Sequence, residues 1–136
     1  MDKSFVFKIS KGTNNETIWF YDTIFTIHEE NQEIDLSDGD CDSSVGDLEE
    51  WDFVSFENIP KVNSLFAKKY PNFSNFNLSD EQKAFYETIK HEAVKELFTY
   101  LCIYCVNDKG NMSSFRQLLD ENGIENNYSV YRSSGE

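Results

Sequence analysis

The chain has 136 residues and a net charge of −13, and it is 39% hydrophobic, with twelve Phe and seven Tyr. This length suits one domain, and the aromatic content is enough for a hydrophobic core, which excludes global disorder. No stretch reaches the roughly 18 apolar residues of a membrane span, and the first residues lack the apolar segment of a signal peptide. We therefore expect one domain over residues 1–136, in the cytoplasm and without a membrane partner.

The first third of the chain predicts β-strands. Phe5, Phe7 and Ile9 alternate on one face, and turn-forming residues follow them at 11–16. Residues 17–27 are rich in β-branched and aromatic side chains, which predicts a longer second strand paired with the first as a hairpin. A third strand is predicted over residues 53–59.

The second half of the chain predicts helices. A first helix is indicated by apolar residues at helical spacing before Pro71, namely Val62, Leu65, Phe66 and Tyr70. Ser79 and Gln82 have the spacing of a capping box, which predicts the start of a long helix from about Asp80 to Val106.

The end of the chain predicts a shorter helix and a final strand. The helix is predicted over Ser114 to Glu121, with Gly123 in a left-handed conformation after it and Ile124 closing the cap. Residues 126–132 then predict a short strand. The order of elements predicts an α+β fold, in which a small antiparallel sheet (the N-terminal hairpin plus additional strands) packs against a long C-terminal-half helix and two shorter helices.

The negative charge is concentrated in one part of the chain. Residues 12–60 hold fourteen Asp and Glu and no Lys or Arg, whereas the other residues hold eleven acids and twelve bases. Such segregation produces a directional field that can steer a basic partner toward an acidic segment at 29–57. The alternative is an acidic loop that simply remains in water.

Part of the acidic segment resembles an EF-hand calcium loop in its spacing. Asp38, Asp40, Asp42 and Glu49 occupy positions 1, 3, 5 and 12 of that motif. However, Ser43 stands at position 6, where the sharp turn requires Gly, and the preceding residues do not form an amphipathic helix. Calcium binding is therefore an alternative, and we expect no metal or other cofactor.

The three cysteines and the short motifs give no catalytic signature. Cys102 and Cys105 form a lone C-x-x-C toward the end of the predicted long helix, where the helix dipole does not activate a thiol, so we expect buried, unreactive side chains. Phosphate-binding, nucleophile-elbow and zinc-protease motifs are absent from the sequence, and we expect no enzyme.

The charge and aromatic pattern predicts a non-enzymatic inhibitor that binds a basic protein. An immunity or antitoxin protein that blocks the phosphate-binding site of a nuclease-type toxin is one form, and a nucleic-acid mimic directed at a defence nuclease is another. Direct binding of nucleic acid is disfavoured because the acidic segment repels phosphates. The predicted partner-binding residues are seven acids and an apolar anchor, which is alternatively a core residue: Asp38, Asp40, Asp42, Asp47, Glu49, Glu50, Asp52 and Trp51.

Overall fold

The computed structural model describes the backbone of residues 2–14, 17–42 and 46–132, and the side chains of residues 2–7, 22–39 and 49–131. The described residues form five strands. Their bounds are Asp2–Asn14 (β1), Thr17–His28 (β2), Glu33–Asp42 (β3), Gly46–Ser55 (β4) and Asn127–Arg132 (β5). The strands form one antiparallel sheet in the order β1-β2-β3-β4-β5.

Four α-helices lie between β4 and β5 among the described residues. Their bounds are Ile59–Lys69 (α1), Asp80–Thr88 (α2), Glu92–Leu101 (α3) and Met112–Glu121 (α4). Short 3₁₀ turns cover Phe56–Asn58 and Phe73–Asn75, and a π-helical turn, Cys102–Asn107, extends α3. In this described part of the chain, no helix combines the length and the apolar character needed to cross a membrane.

The sheet has one face covered by helices. Successive side chains of a strand point to opposite faces, so the register defines which residues share a face. Phe25 pairs with Leu36, and both are fully buried in the core. The ring of Phe25 lies 5.9 Å from that of Phe98 in α3, so the helices cover this side of the sheet. The predicted α+β fold with an antiparallel sheet is confirmed.

The acidic segment is part of the sheet. Residues 33–42 and 46–55 form the hairpin β3–β4, in which Asp38 pairs with Glu50. The prediction missed β3 and placed a strand at 53–59, where the strand ends at Ser55 and a 3₁₀ turn follows. The interpretation of the segment as a solvated loop is therefore wrong over these strands. Carboxylates obscure the strand pattern, because Asp38 and Asp40 stand where the apolar alternation of Ile34 and Leu36 would continue.

The predicted long helix is interrupted. α2 ends at Thr88, and α3 begins at Glu92 after an extended backbone at Ile89 (φ −81°, ψ 129°). The rings of Phe85 and Phe98 are 5.0 Å apart, whereas thirteen residues of continuous helix would separate them by roughly 20 Å. The chain turns because this brings both rings against Phe5 and buries Ile89.

The predicted helix caps are confirmed. The Ser79 hydroxyl accepts from the Gln82 N–H, and the Gln82 side chain accepts from the Ser79 N–H. After α4, Gly123 adopts φ +67°, and the Ile124 N–H donates to the Leu119 carbonyl at 2.9 Å. Such local hydrogen bonds are predictable because short sequence spacings determine them.

Candidate protein-binding surface

The second face of the sheet lies on the side opposite the helices, and we call it the open face. The register places on it alternate residues of every strand. Its described acidic members are Asp2, Asp22, Glu33, Asp35 and Glu49. Its large apolar members are Val6, Ile24, Trp51, Phe53 and Tyr131.

The open face carries both acidic and aromatic side chains. No Lys or Arg stands at the open-face positions whose side chains are described. Tyr131 and Val6 are exposed, whereas Trp51 and Phe53 are half-buried. Aromatic side chains supply much of the binding energy at protein interfaces, and surrounding carboxylates favour a positively charged partner.

A histidine bridges two carboxylates on this face. His28 Nε2 lies 2.5 Å from Asp35 Oδ2, and its Nδ1 lies 2.9 Å from Asp2 Oδ2. Burial lowers the pKa of His28, but the hydrogen bonds and charges of Asp35 and Asp2 outweigh this effect and raise it overall. Asp35 is only 3% exposed, and burial raises its pKa although the hydrogen bond and the charge of His28 oppose the shift.

Of the predicted partner-binding residues whose side chains the structure describes, two lie on the open face. Glu49 is exposed and pairs with Tyr131 of β5, and Trp51 pairs with Ser37 of β3 and Ser129 of β5. Trp51 therefore occupies an inner strand of the face and not the helix-covered core. The structure thus has a large aromatic side chain and an accessible carboxylate on the same face of β4.

Two other predicted residues point toward the helices and hold structural hydrogen bonds. Asp38 accepts from the Thr23 hydroxyl at 2.9 Å and from the Met112 N–H at the start of α4 at 3.2 Å. Glu50 accepts from the Tyr128 hydroxyl at 2.5 Å. The carboxylate of Asp38 thus satisfies a helix terminus, which its sequence position did not indicate.

Asp52 is the clearest correction to the predicted set. Its side chain is 0% exposed on the helix-covered face, so it cannot touch a partner in this structure. Neither carboxylate oxygen has a hydrogen-bond partner among the described residues. Burial raises its pKa to about 7, with Arg116 opposing and Asp120 adding to the shift. The sequence placed it on the surface because charged residues are rarely buried.

For the three remaining predicted residues, the structure describes the backbone but not the side chain. Asp40 and Asp42 belong to β3 and Asp47 to β4, but their side chains lie outside the described residues. Their contribution to partner binding stays a prediction.

The hairpin separates the first and last residues of the calcium alternative. Asp38 pairs with Glu50, so it points to the helix-covered face, whereas Glu49 pairs with Gly39 and points to the open face. The first and last ligands of a calcium loop must converge on one ion. Among the residues that the structure describes, no group of three His, Cys, Asp or Glu side chains is arranged to hold a metal ion.

The cysteine prediction is confirmed. Cys102 and Cys105 are both buried and are not joined in a disulfide. Burial raises the pKa of Cys102 to about 12, so its reactive thiolate form is negligible near neutral pH.

Several open-face residues were not among the predicted set: Asp2, Asp22, His28, Asp35 and Tyr131. Asp22 stands in the predicted second strand, where its parity opposite to Phe25 was an available signal. The pairing of His28 with Asp35 depends on the register of β2 with β3, and β3 was not predicted.

Comparison of the chain with protein-family models, curated proteins and solved structures gave no match.

Proposed function

We propose that this chain is a non-enzymatic protein-binding inhibitor that presents its open face to a positively charged partner. The observation that supports this most is the composition of that face, which combines carboxylates with Trp51, Phe53 and Tyr131 and has no described Lys or Arg. The interface that we propose is one side of the sheet and not the whole acidic segment 29–57.

The physical basis is substitution of charge. A protein that binds nucleic acid does so largely through Lys and Arg directed at phosphates. Carboxylates on a preformed sheet can occupy the same basic site without bending or melting a strand. Trp51, which lies between Ser37 and Ser129 and two positions from Glu49, supplies apolar contact area that nucleic-acid phosphates do not. A nuclease-type toxin neutralised by this chain is the partner class that we favour.

The test uses the protein encoded beside the gene for this chain. We expect that protein to be basic and to cleave nucleic acid, and we expect the purified chain to inhibit the cleavage in proportion to complex formed. Trp51→Ala is expected to weaken binding by about 2 kcal/mol or more, which is roughly thirtyfold in Kd.

The matched control is Phe73→Ala, because Phe73 is a half-buried aromatic residue on the helical side and contacts Tyr100. Its substitution is expected to lower stability but to leave Kd unchanged while the protein is folded. The proposal fails if the neighbouring protein does not bind, or if both substitutions weaken binding equally.

A further inference from the structure

The two edges of the sheet differ in their protection against strand addition. An exposed edge has backbone N–H and C=O groups available for another strand, and proteins block edges with Lys, Pro or a bulge. β1 contains Lys3, Lys8 and Lys11 and has a register irregularity between Val6 and Lys8. β5 has no Pro and no Lys, its one cation is Arg132 at the last position of the strand, and its pairing with β4 runs without a bulge.

The β5 edge also has large side chains exposed among its polar ones. Of its side chains, Val130 is 45% exposed and Tyr131 is 55% exposed. No strand pairs with the outer side of β5 within the described sheet, where it stands at one end of the strand order. A regular edge with large exposed side chains is the arrangement that other proteins use to capture an extended peptide.

The charges near this edge select the chemistry of the added strand. Tyr131 pairs with Glu49 on the open face, and Val130 pairs with Glu50 on the other face. A strand added to β5 would lie two strand spacings, roughly 10 Å, from β4, which the extended side chain of Lys or Arg largely spans. Its cations would also lie beside the ring of Tyr131.

A second copy of this chain fits the edge less well. Each copy has a net charge of −13, and pairing two β5 strands would bring both copies of Glu49 and Glu50 toward the same interface. Repulsion between the copies opposes that association.

We propose that β5 binds an extended basic segment of the partner protein as a sixth strand. This inference rests on the proposed function and names its mode of recognition. The captured segment alternates: Lys or Arg face the open side near Tyr131 and Glu49, and apolar side chains face the helical side near Val130. Backbone hydrogen bonds provide the affinity and the alternation provides the specificity.

The test uses a synthetic seven-residue peptide that alternates lysine and valine, with both ends blocked. The first control peptide has every second backbone amide N-methylated, and the second has glutamate in place of lysine. We expect the lysine peptide to bind the full-length chain, both controls to bind at least about tenfold more weakly, and the amides of Ser129, Val130 and Tyr131 to exchange more slowly in the complex.

Proline substitutions on β5 give a second measurement. Successive residues of a strand direct their N–H groups to opposite edges, so one of Ser129 and Val130 directs its N–H outward. Of Ser129→Pro and Val130→Pro, the variant that retains the wild-type unfolding midpoint is expected to lose peptide binding. If both variants unfold, amide exchange at β5 of the unaltered chain, compared with and without the lysine peptide, tests whether the peptide pairs with this edge.

The possible results separate this inference from the proposed function. If the lysine and N-methylated peptides bind equally and the glutamate peptide does not, the edge inference is overturned and the acidic surface is supported. If lysine and glutamate peptides bind equally through β5, the basic nature of the partner is overturned. Protection of β5 that rises with protein concentration in the absence of peptide would make a second copy the occupant.

Discussion

Asp52 shows how one carboxyl group couples this fold to pH. Its pKa is about 7 because it is buried, whereas an unfolded Asp titrates near 3.8. The folded state therefore retains a proton that the unfolded state has lost, and the free energy of unfolding falls as pH rises between these values. A shift of this size corresponds to at most roughly 4 kcal/mol, reached above pH 7.

Asp52→Asn is expected to remove this pH dependence. The substitution preserves shape but carries no charge, so the variant should match the wild type near pH 4 and be more stable at pH 8 by up to roughly 4 kcal/mol. Urea unfolding at both pH values measures the difference. A variant that is less stable than the wild type at pH 8 would show that the carboxylate has partners in the folded state.

His28 is a base and Asp52 is an acid, but the titration of His28 also lowers the free energy of unfolding as pH rises. Its raised pKa means that its stabilising contribution is present below the ordinary value of 6.5 and is lost as pH rises through the folded-state pKa. The contribution arises from Asp35, which would otherwise be buried without a described partner for either carboxylate oxygen.

His28→Gln is expected to lower the free energy of unfolding by about 1–3 kcal/mol at pH 6, and by less at pH 9. Chemical unfolding at the two pH values provides the measurement. His91→Gln is the control, because His91 is exposed at the start of α3 and is expected to have little effect. Equal losses for the two variants would contradict the role of the bridge.

Among the elements, the π-helical turn after α3 is held by close packing around a glycine. The Gly110 N–H donates to the Tyr104 carbonyl at 2.8 Å, and the Tyr104 hydroxyl donates to Ser114 in α4 at 2.7 Å. A Cβ atom on Gly110 would overlap the ring of Tyr104. Because Gly110 has no side chain, the ring of Tyr104 can lie against it while the Tyr104 hydroxyl donates to Ser114, and this contact joins α3 to α4.

Gly110→Ala is expected to destabilise the chain by about 1–3 kcal/mol, since either the ring or the backbone must move. Gly39→Ala is the matched control, because its Cβ would meet only Glu49 Cγ, at an ordinary 3.8 Å. The two midpoints of thermal unfolding measure the contrast. If Gly110→Ala unfolded at the same temperature as Gly39→Ala, the packing account would be wrong.

Elements differ in how far the sequence predicts them. The capping box at Ser79 and the left-handed Gly123 were predicted because neighbours in sequence create them. The break at Ile89 was not predicted, because it arises from tertiary contacts of Phe85 and Phe98 with a distant strand. β3 was missed because its buried face includes Asp38 beside Leu36 and Ile34, and its other face includes the buried Asp35.

The residues proposed to bind a partner follow the same rule. Glu49 and Trp51 could be selected from local charge and aromatic content, and both lie on the open face. Asp52, their immediate neighbour, points the other way because a strand alternates its side chains. Separating these neighbours required the parity of β4, and recognising Asp22 or Asp35 required the register of the whole sheet.

At the scale of the whole molecule, charge and architecture act together. Helices cover one face of the sheet and leave the other with carboxylates around aromatic rings, so the negative field has a direction. Association with a basic partner should then be fast at low salt and slow as ionic strength rises.

The most direct test of this account is the association rate constant of the basic partner, measured against ionic strength for two charge-reversal pairs. Asp22→Lys with Glu49→Lys alters the open face, and Glu87→Lys with Glu96→Lys makes the same change of charge on α2 and α3. We predict that the first pair slows association about tenfold at low salt and flattens its salt dependence, whereas the second pair has little effect. Equal slowing by both pairs would contradict the account, because the partner would then respond to net charge and not to the open face.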